Sequence, residues 1–316
     1  MPVSRNRKAR KGRNKRSASR PKYERQLDAI VIAGLPTKMP DVLQHYTTWA
    51  GFRGIVASQH FRARAHHCTN DTAELTSIDE ILTEVATDLV NTSDPRSCDP
   101  LNRFLRDLPT RKISKEGTLY LSCFSVAKDK PSQWLSYAEN GSGVCMGFKV
   151  LHHEKPPFGT ARPSSMSVLY DEGAWRKIVA ERFGQVLSRY EEFRRSSPDG
   201  RVVGEPAAWS ALMRIAAVAS LRAKKPLWAS EEEWRILVLG RDTKQPRLLT
   251  PDGSEYIEMR LREPPLRFVF DEILLGPRQG KPHTEAIAEA RAILEAAGYS
   301  GDEIPLIRVS TADLGD

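Results

Sequence analysis

The stretch 118–150, TLYLSCFSVAKDKPSQWLSYAENGSGVCMGFKV, decides the fold. Thr118 to Val126 and Gly143 to Val150 are rich in aromatic, β-branched and other apolar residues and read as strands. Between them a short helix is expected around Gln133 to Glu139, ended by the turn Asn140-Gly141. Upstream, Val42 to Thr47 reads as a strand and Trp49 to Ser58 as a helix with Phe52, Ile55 and Val56 on one side. Ser77 followed three residues later by Glu80 is a capping-box pattern opening an amphipathic helix through Val90, after which Asn91 to Pro100 is turn-rich. Downstream, the Pro-rich run His152 to Ser165 marks a loop or insertion boundary, and Val168 to Tyr170 reads as a further strand. Gly173 to Tyr190 and Pro206 to Lys224 read as two helices around the turn Ser196 to Gly204. Trp234 to Leu239, Phe268 to Leu274 and Leu306 to Ser310 are later strands, with the Ala-rich helix Thr284 to Ala297 ending at Gly298. Because the helices come in pairs, strict β-α alternation fails. The class is α+β, with a mixed or antiparallel sheet core and flanking helices.

Composition bounds the rest. The 316 residues are 40% hydrophobic, enough for a globular core, and carry a net charge of +8. Eleven Lys/Arg and one acid, Glu24, fall in the first 25 residues, so the remainder sums to about −2 and is not itself a basic body. Residues 1–25 are therefore expected to be a disordered basic tail and 26–316 a single α+β domain. The tail has almost no apolar residues to bury, so its removal is expected to leave folding intact. As a function, the Arg5 to Arg25 run is expected to tether RNA, DNA or another polyanion with a steep salt dependence; as a plain solvated leader it would do nothing. No apolar run has the length of a membrane span and the basic start lacks a signal-peptide core, which points to a cytoplasmic protein without a membrane partner. Cys68, Cys98, Cys123 and Cys145 stand far apart with no CxxC pair, so neither a disulfide framework nor a zinc ribbon is indicated.

Chemistry is concentrated in three clusters: His45-Tyr46-Thr47, Trp134-Leu135-Ser136-Tyr137 and Glu231-Glu232-Glu233-Trp234-Arg235. Each sets polar reactive groups beside aromatic rings, which is what a pocket needs to stack a planar ligand, hold its sugar and stabilise a developing cation. Each also has a structural explanation. His45 could simply bond a strand end, Tyr137 and Trp134 could be core, and the acids could be a solvated helix start. Asn70-Asp71 with Glu74 admits a divalent metal completed by His45 or Glu233, or a turn and helix cap. His66-His67-Cys68 and His152-His153 lack a second pair at ligand spacing, so no metal ligand is assigned.

The runs Leu43 to Thr47, Gly54 to Ser58, Asn70 to Glu74, Cys123-Phe124-Ser125, Trp134 to Ala138 and Gly143 to Phe148 resemble a widespread bacterial family, domain of unknown function 2971. So do Leu169-Tyr170-Asp171, Lys225 to Trp228, Glu231 to Arg235, Leu275-Gly276-Pro277 and Ile307 to Ser310, so that the resemblance extends from about Val42 to Leu314. A more local resemblance is to ADP-ribosyltransferase-like enzymes and to NAD-dependent RNA phosphate-removing relatives. It lies in the His-x-Thr of His45-Tyr46-Thr47, in Ser122 to Ser125 leading to Ser132 and Tyr137, and in Glu233 at a late strand. This resemblance implies an ADP-ribosyltransferase-like fold with NAD as substrate. By it His45 would hold the ribose, Tyr137 would stack on nicotinamide and Glu233 would stabilise the positive charge; Tyr46, Thr47, Ser125 and Trp134 would line the NAD site. The alternatives are a metal-dependent nuclease or hydrolase using Asp71, Glu74 and Glu233, and a non-catalytic nucleotide or nucleic-acid binding module.

Overall fold

The computed structural model describes residues 22–32, 38–68, 74–110, 118–152, 164–197, 200–239, 246–261 and 266–315. Its strands are β1 (Val42–Thr47), β2 (His60–Ala65), β3 (Leu119–Ser125), β4 (Val144–His152), β5 (Ser164–Ser167), β6 (Glu233–Leu239), β7 (Leu248–Leu249), β8 (Glu255–Arg260), β9 (Leu266–Leu275) and β10 (Leu306–Val309). The helices are α1 (Lys22–Ile32), α2 (Trp49–Ser58), α3 (Asp79–Thr92), α4 (Asp99–Asp107), α5 (Pro131–Tyr137), α6 (Glu172–Ser196), α7 (Gly200–Arg222) and α8 (His283–Ala296). All the strands join one sheet, ordered β10-β9-β4-β1-β3-β2-β8-β7, with β6 on β3 and β5 on β6. Among the described residues every strand pairing is antiparallel except β10 on β9, which the crossover helix α8 makes parallel. The fold is thus α+β with a mixed, mostly antiparallel sheet, as its sequence predicts.

β3 organises the sheet. β6 occupies one of its edges from Leu119 to Ser125. The other edge is shared: β1 takes Ser125 opposite Gln44, and β2 takes Leu121 and Tyr120 opposite Arg64 and Ala65. Between these points β1 and β2 diverge, so the sheet splits into two arms beside Ser122 and Cys123. Side chains bridge where the ladder is missing: Ser122 Oγ donates to the Arg62 carbonyl at 3.1 Å, and the His45 ring bonds the Cys123 backbone. Phe61, Phe124, Phe148 and Phe268 fill the split edge to face and face to face, with centroids 4.9–6.1 Å apart. On this side the sheet packs on α2 through Phe52 and Val56 and on α8 through Ala286, Ala290 and Leu294. A second core lies within a helical layer, where α1, α3, α4, α6 and α7 bury Leu27, Leu82, Phe104, Trp175, Phe183, Tyr190 and Leu212.

Several local expectations shift for physical reasons. α3 starts at Asp79 with Ile78 at the N-cap and no side-chain cap bond, because Ile78 is buried in the helical core and fixes the start by packing. α7 begins at Gly200 and carries Pro206 inside it, so the expected turn to Gly204 is shorter. Its segment Val202–Arg222 is long and apolar enough to cross a membrane, contrary to the sequence expectation. Its Ala208, Ala211, Leu212, Ile215, Ala216 and Ala219 are buried among the other helices. The boundary expected after residue 25 falls inside α1: Tyr23 is buried, stacks on Phe193 at 4.3 Å and donates to the Gly204 carbonyl at 3.3 Å. The rest of the Arg5 to Arg25 run, through Pro21, lies outside the described residues.

Candidate functional site

The register of the central strands decides which candidate residues meet. Gln44, Ser125 and Glu233 stand side by side on β1, β3 and β6 and therefore share one face of the sheet. His45, one residue along, points to the other face, where its ring lies 5.4 Å from Phe61 and 5.6 Å from Phe124. Burial holds its pKa down to about 4 in spite of the backbone bond to Cys123, so His45 is a neutral plug of the sheet split. The pocket expected from His45, Tyr137 and Glu233 together does not form, because a one-residue step along a strand exchanges faces. Thr47 ends β1 with its hydroxyl against Gly51 of α2, likewise away from Glu233.

Tyr137 and Glu233 do come to the same place. A short 3-10 helix, Pro226–Glu231, ends at Glu232 in the left-handed conformation (φ 45) and delivers the chain into β6. Glu231 and Glu233 are thereby both buried, while Glu232 faces outward and pairs with Lys130. The Tyr137 hydroxyl, at the end of α5, donates to Glu231 Oε1 at 2.5 Å. Lys224, just past α7, donates to Glu231 Oε2 and, at 3.1 Å, to Glu233 Oε2. Glu233 is gripped further by Arg235, whose Nε and Nη2 donate to its two oxygens at 2.8 and 3.1 Å. Burial drives the Glu233 pKa upward, but Arg235 and Lys224 outweigh it and hold it down at about 2. Burial, reinforced by the bond to Glu231, pushes the Tyr137 hydroxyl far above the usual tyrosine range. Tyr170 accepts the Glu233 amide N–H at 2.8 Å. Two acids, two cations and two phenols thus form one polar network, which the Cys123 thiol joins through Glu233.

The remaining predicted residues frame the network. Ser125 Oγ donates to the Glu231 carbonyl at 2.6 Å and accepts the Ala127 N–H at 2.9 Å, so it shapes the backbone beside the cluster. Tyr46 donates to the Ala127 carbonyl at 3.0 Å and stands edge-on to Trp134 at 5.0 Å. Trp134 is fully buried and donates its indole N–H to Asp129 at 2.8 Å. Asp129, itself left-handed (φ 53), also receives Ser310 Oγ and the Thr311 N–H, so the segment after β10 clasps the loop that leads into α5. Tyr46, Ser125 and Trp134 thus support the site from behind. Of the residues predicted for the site, Tyr137 is the aromatic exposed to solvent, at 43%, and beside it Trp228 is 38% exposed with its ring 5.5 Å from Lys224 Nζ.

Lys224, Glu231, Arg235 and Trp228 were not singled out as site residues by sequence. The alternation Glu231, Glu233, Arg235 into a strand was the available signal, since residues two apart share a face. Asp71 lies outside the described residues, as does the side chain of Glu74. Among the described residues no three His, Cys, Asp or Glu side chains gather so as to hold a metal ion.

Residues 133–236 match a family described as protein of unknown function (DUF2971). The match runs from α5 into β6, and so contains Tyr137, Lys224, Glu231 and Glu233. It is narrower than the span Val42 to Leu314 on which the sequence resembles that family, and it lends no support to the ADP-ribosyltransferase resemblance. No curated protein and no solved structure matches the chain.

Proposed function

We propose that this chain binds a nucleotide of the NAD class against Tyr137 and cleaves its nicotinamide–ribose bond, passing the ribosyl group to water or to an acceptor. One observation carries the reading: the Tyr137 ring is reachable from solvent while its hydroxyl is tied to the buried Glu231 carboxylate, which Lys224 fixes from the other side. A planar ring stacked on Tyr137 would come beside a negative group whose position is already set, with Trp228 as a second aromatic wall. Breaking the C–N bond sends the electron pair to the nicotinamide nitrogen and leaves positive charge on the ribose carbon. A prepositioned carboxylate stabilises that charge without reorganising at the moment of reaction. The attacking hydroxyl then forms the new C–O bond and releases its proton to solvent. Glu231, rather than Glu233, takes this part, because it is the carboxylate bonded directly to the exposed Tyr137, whereas Arg235 holds both oxygens of Glu233.

Nicotinamide release, followed by chromatography with and without cell extract as acceptor, tests the reading. Glu231→Gln should keep NAD binding and lower turnover by roughly two or more orders of magnitude. Tyr137→Ala should weaken NAD binding. A parent protein that releases no nicotinamide, and whose melting temperature NAD does not raise, would sink the proposal.

A further inference from the structure

Cys123 lies in the middle of β3, paired across to Arg235 of β6, and yet it is exposed. Its neighbours two residues away on the same face, Leu121 and Ser125, are both buried. The opening above Cys123 therefore coincides with the point where β1 and β2 part. On the β2 side of that opening stand Arg62 and Arg64. Arg64 is opposite Leu121 in register, which puts both arginines on the face that carries Cys123, Ser125 and Glu233. Both are exposed, and neither makes an ion pair with a described residue. Glu258 is opposite Arg62 in register without pairing to it; the Arg62 guanidinium lies instead over the Tyr256 ring, 4.9 Å from its centroid. Two arginines at alternate positions of one strand have backbones about 7 Å apart, near enough for their long side chains to converge on two linked phosphates.

We infer that Arg62 and Arg64 bind the phosphates of a ligand whose planar end lies at Tyr137 and Glu231 and whose middle passes the exposed Cys123 at the split in the sheet. Ser125, whose hydroxyl touches the Glu231 backbone, and Leu121, opposite Arg64, are four residues apart, about 13 Å at roughly 3.3 Å each. An arginine side chain shortens that gap to what the ribose and phosphates of one half of a dinucleotide cover. Guanidinium groups stay charged at every working pH and hold phosphate oxygens by paired N–H donors. The ligand is thus a pyrophosphate-bearing nucleotide. The identity of its planar end rests on the NAD-class reading above.

The test compares full-length parent with the double variant Arg62→Gln/Arg64→Gln, at physiological salt, for binding of NAD, nicotinamide riboside and inorganic pyrophosphate. Both proteins carry the same basic N-terminal run, so its contribution cancels. Parent should bind NAD and pyrophosphate roughly ten- to a hundredfold more tightly than the variant, with riboside binding unchanged. Tyr137→Ala should weaken riboside and NAD while leaving pyrophosphate alone. If riboside fails to bind the parent while pyrophosphate binding still depends on the two arginines, the arginine site stands and the NAD-class reading falls. Equal pyrophosphate binding by parent and double variant, or none by the parent, overturns the inference. Circular dichroism of the double variant, whose changed side chains are on the surface, confirms that the comparison is between folded proteins.

Discussion

Replacing Glu233 by Gln distinguishes a structural carboxylate from a working one. Arg235 is 1% exposed, Lys224 is partly buried, and Glu233 is bonded to both. Gln keeps the shape but removes the charge that justifies burying the guanidinium, so the cost is that of an uncompensated buried cation, roughly 3–5 kcal/mol. The depressed titration gives a figure of the same order. A fall from 4.5 to about 2 corresponds to a differential interaction on the order of 3 kcal/mol at about 1.4 per unit. The sign follows from the direction. The contribution is fully present above the unfolded pKa and is lost as pH falls from about 4.5 through about 2. Urea unfolding at neutral pH, read by tryptophan fluorescence, should show a lower midpoint for Glu233→Gln. Glu233→Gln/Arg235→Met should recover much of the loss, because the buried charge leaves with its partner. Stability of the single variant within about 0.5 kcal/mol of the parent would refute the argument and return Glu233 to candidacy as the charge-stabilising group.

Two further outcomes are expected. The His45 ring is held neutral in the folded chain down to about pH 4 but titrates near 6.5 when unfolded, so stability should fall as pH drops between those values, by on the order of 3 kcal/mol. Chemical denaturation of the parent and of His45→Gln at pH 7, 6, 5 and 4.5 measures this, and parallel curves for the two proteins would show that His45 contributes none of the slope. Removing residues 1–21 should leave the melting temperature close to that of the parent, whereas removal through residue 25 deletes the buried Tyr23 and should cost roughly 3 kcal/mol; equal melting temperatures for the two truncations would place Tyr23 outside the core.

What the sequence reveals depends on whether the deciding information is local. The runs around β3 and β6 are legible because both strands are apolar along most of their length, and α2 and α8 because their apolar faces recur at helical spacing. β2 is not legible, because HFRARA alternates arginine with small or aromatic residues and looks like a basic loop until β8 and β3 pair with it. α4 is hidden by its charges, although Leu101 and Phe104 are buried. For the site, Tyr137 and Glu233 could be brought together by cluster alone, but the exclusion of His45 could not be read. Which face a strand residue takes is relative to its neighbours, and the pairing of Gln44 with Ser125, 81 residues further along, is a fact of register. The network around Glu231 carries a faint local trace, the alternation of Glu231, Glu233 and Arg235.

Asp129 has a consequence for the order of events during synthesis. It sits just ahead of α5, and its carboxylate is shared by Trp134, five residues on, and by Ser310, 181 residues on. A chain emerging from the ribosome from its N-terminus can form the helical layer and the arm of β1, β3 and β4 early. The loop that aims Tyr137 nevertheless waits for the residues after β10 before its last acceptor is satisfied. The Tyr137 end of α5 is therefore among the last parts of the molecule to be finished, and the chemistry proposed there would be withheld from an incomplete chain.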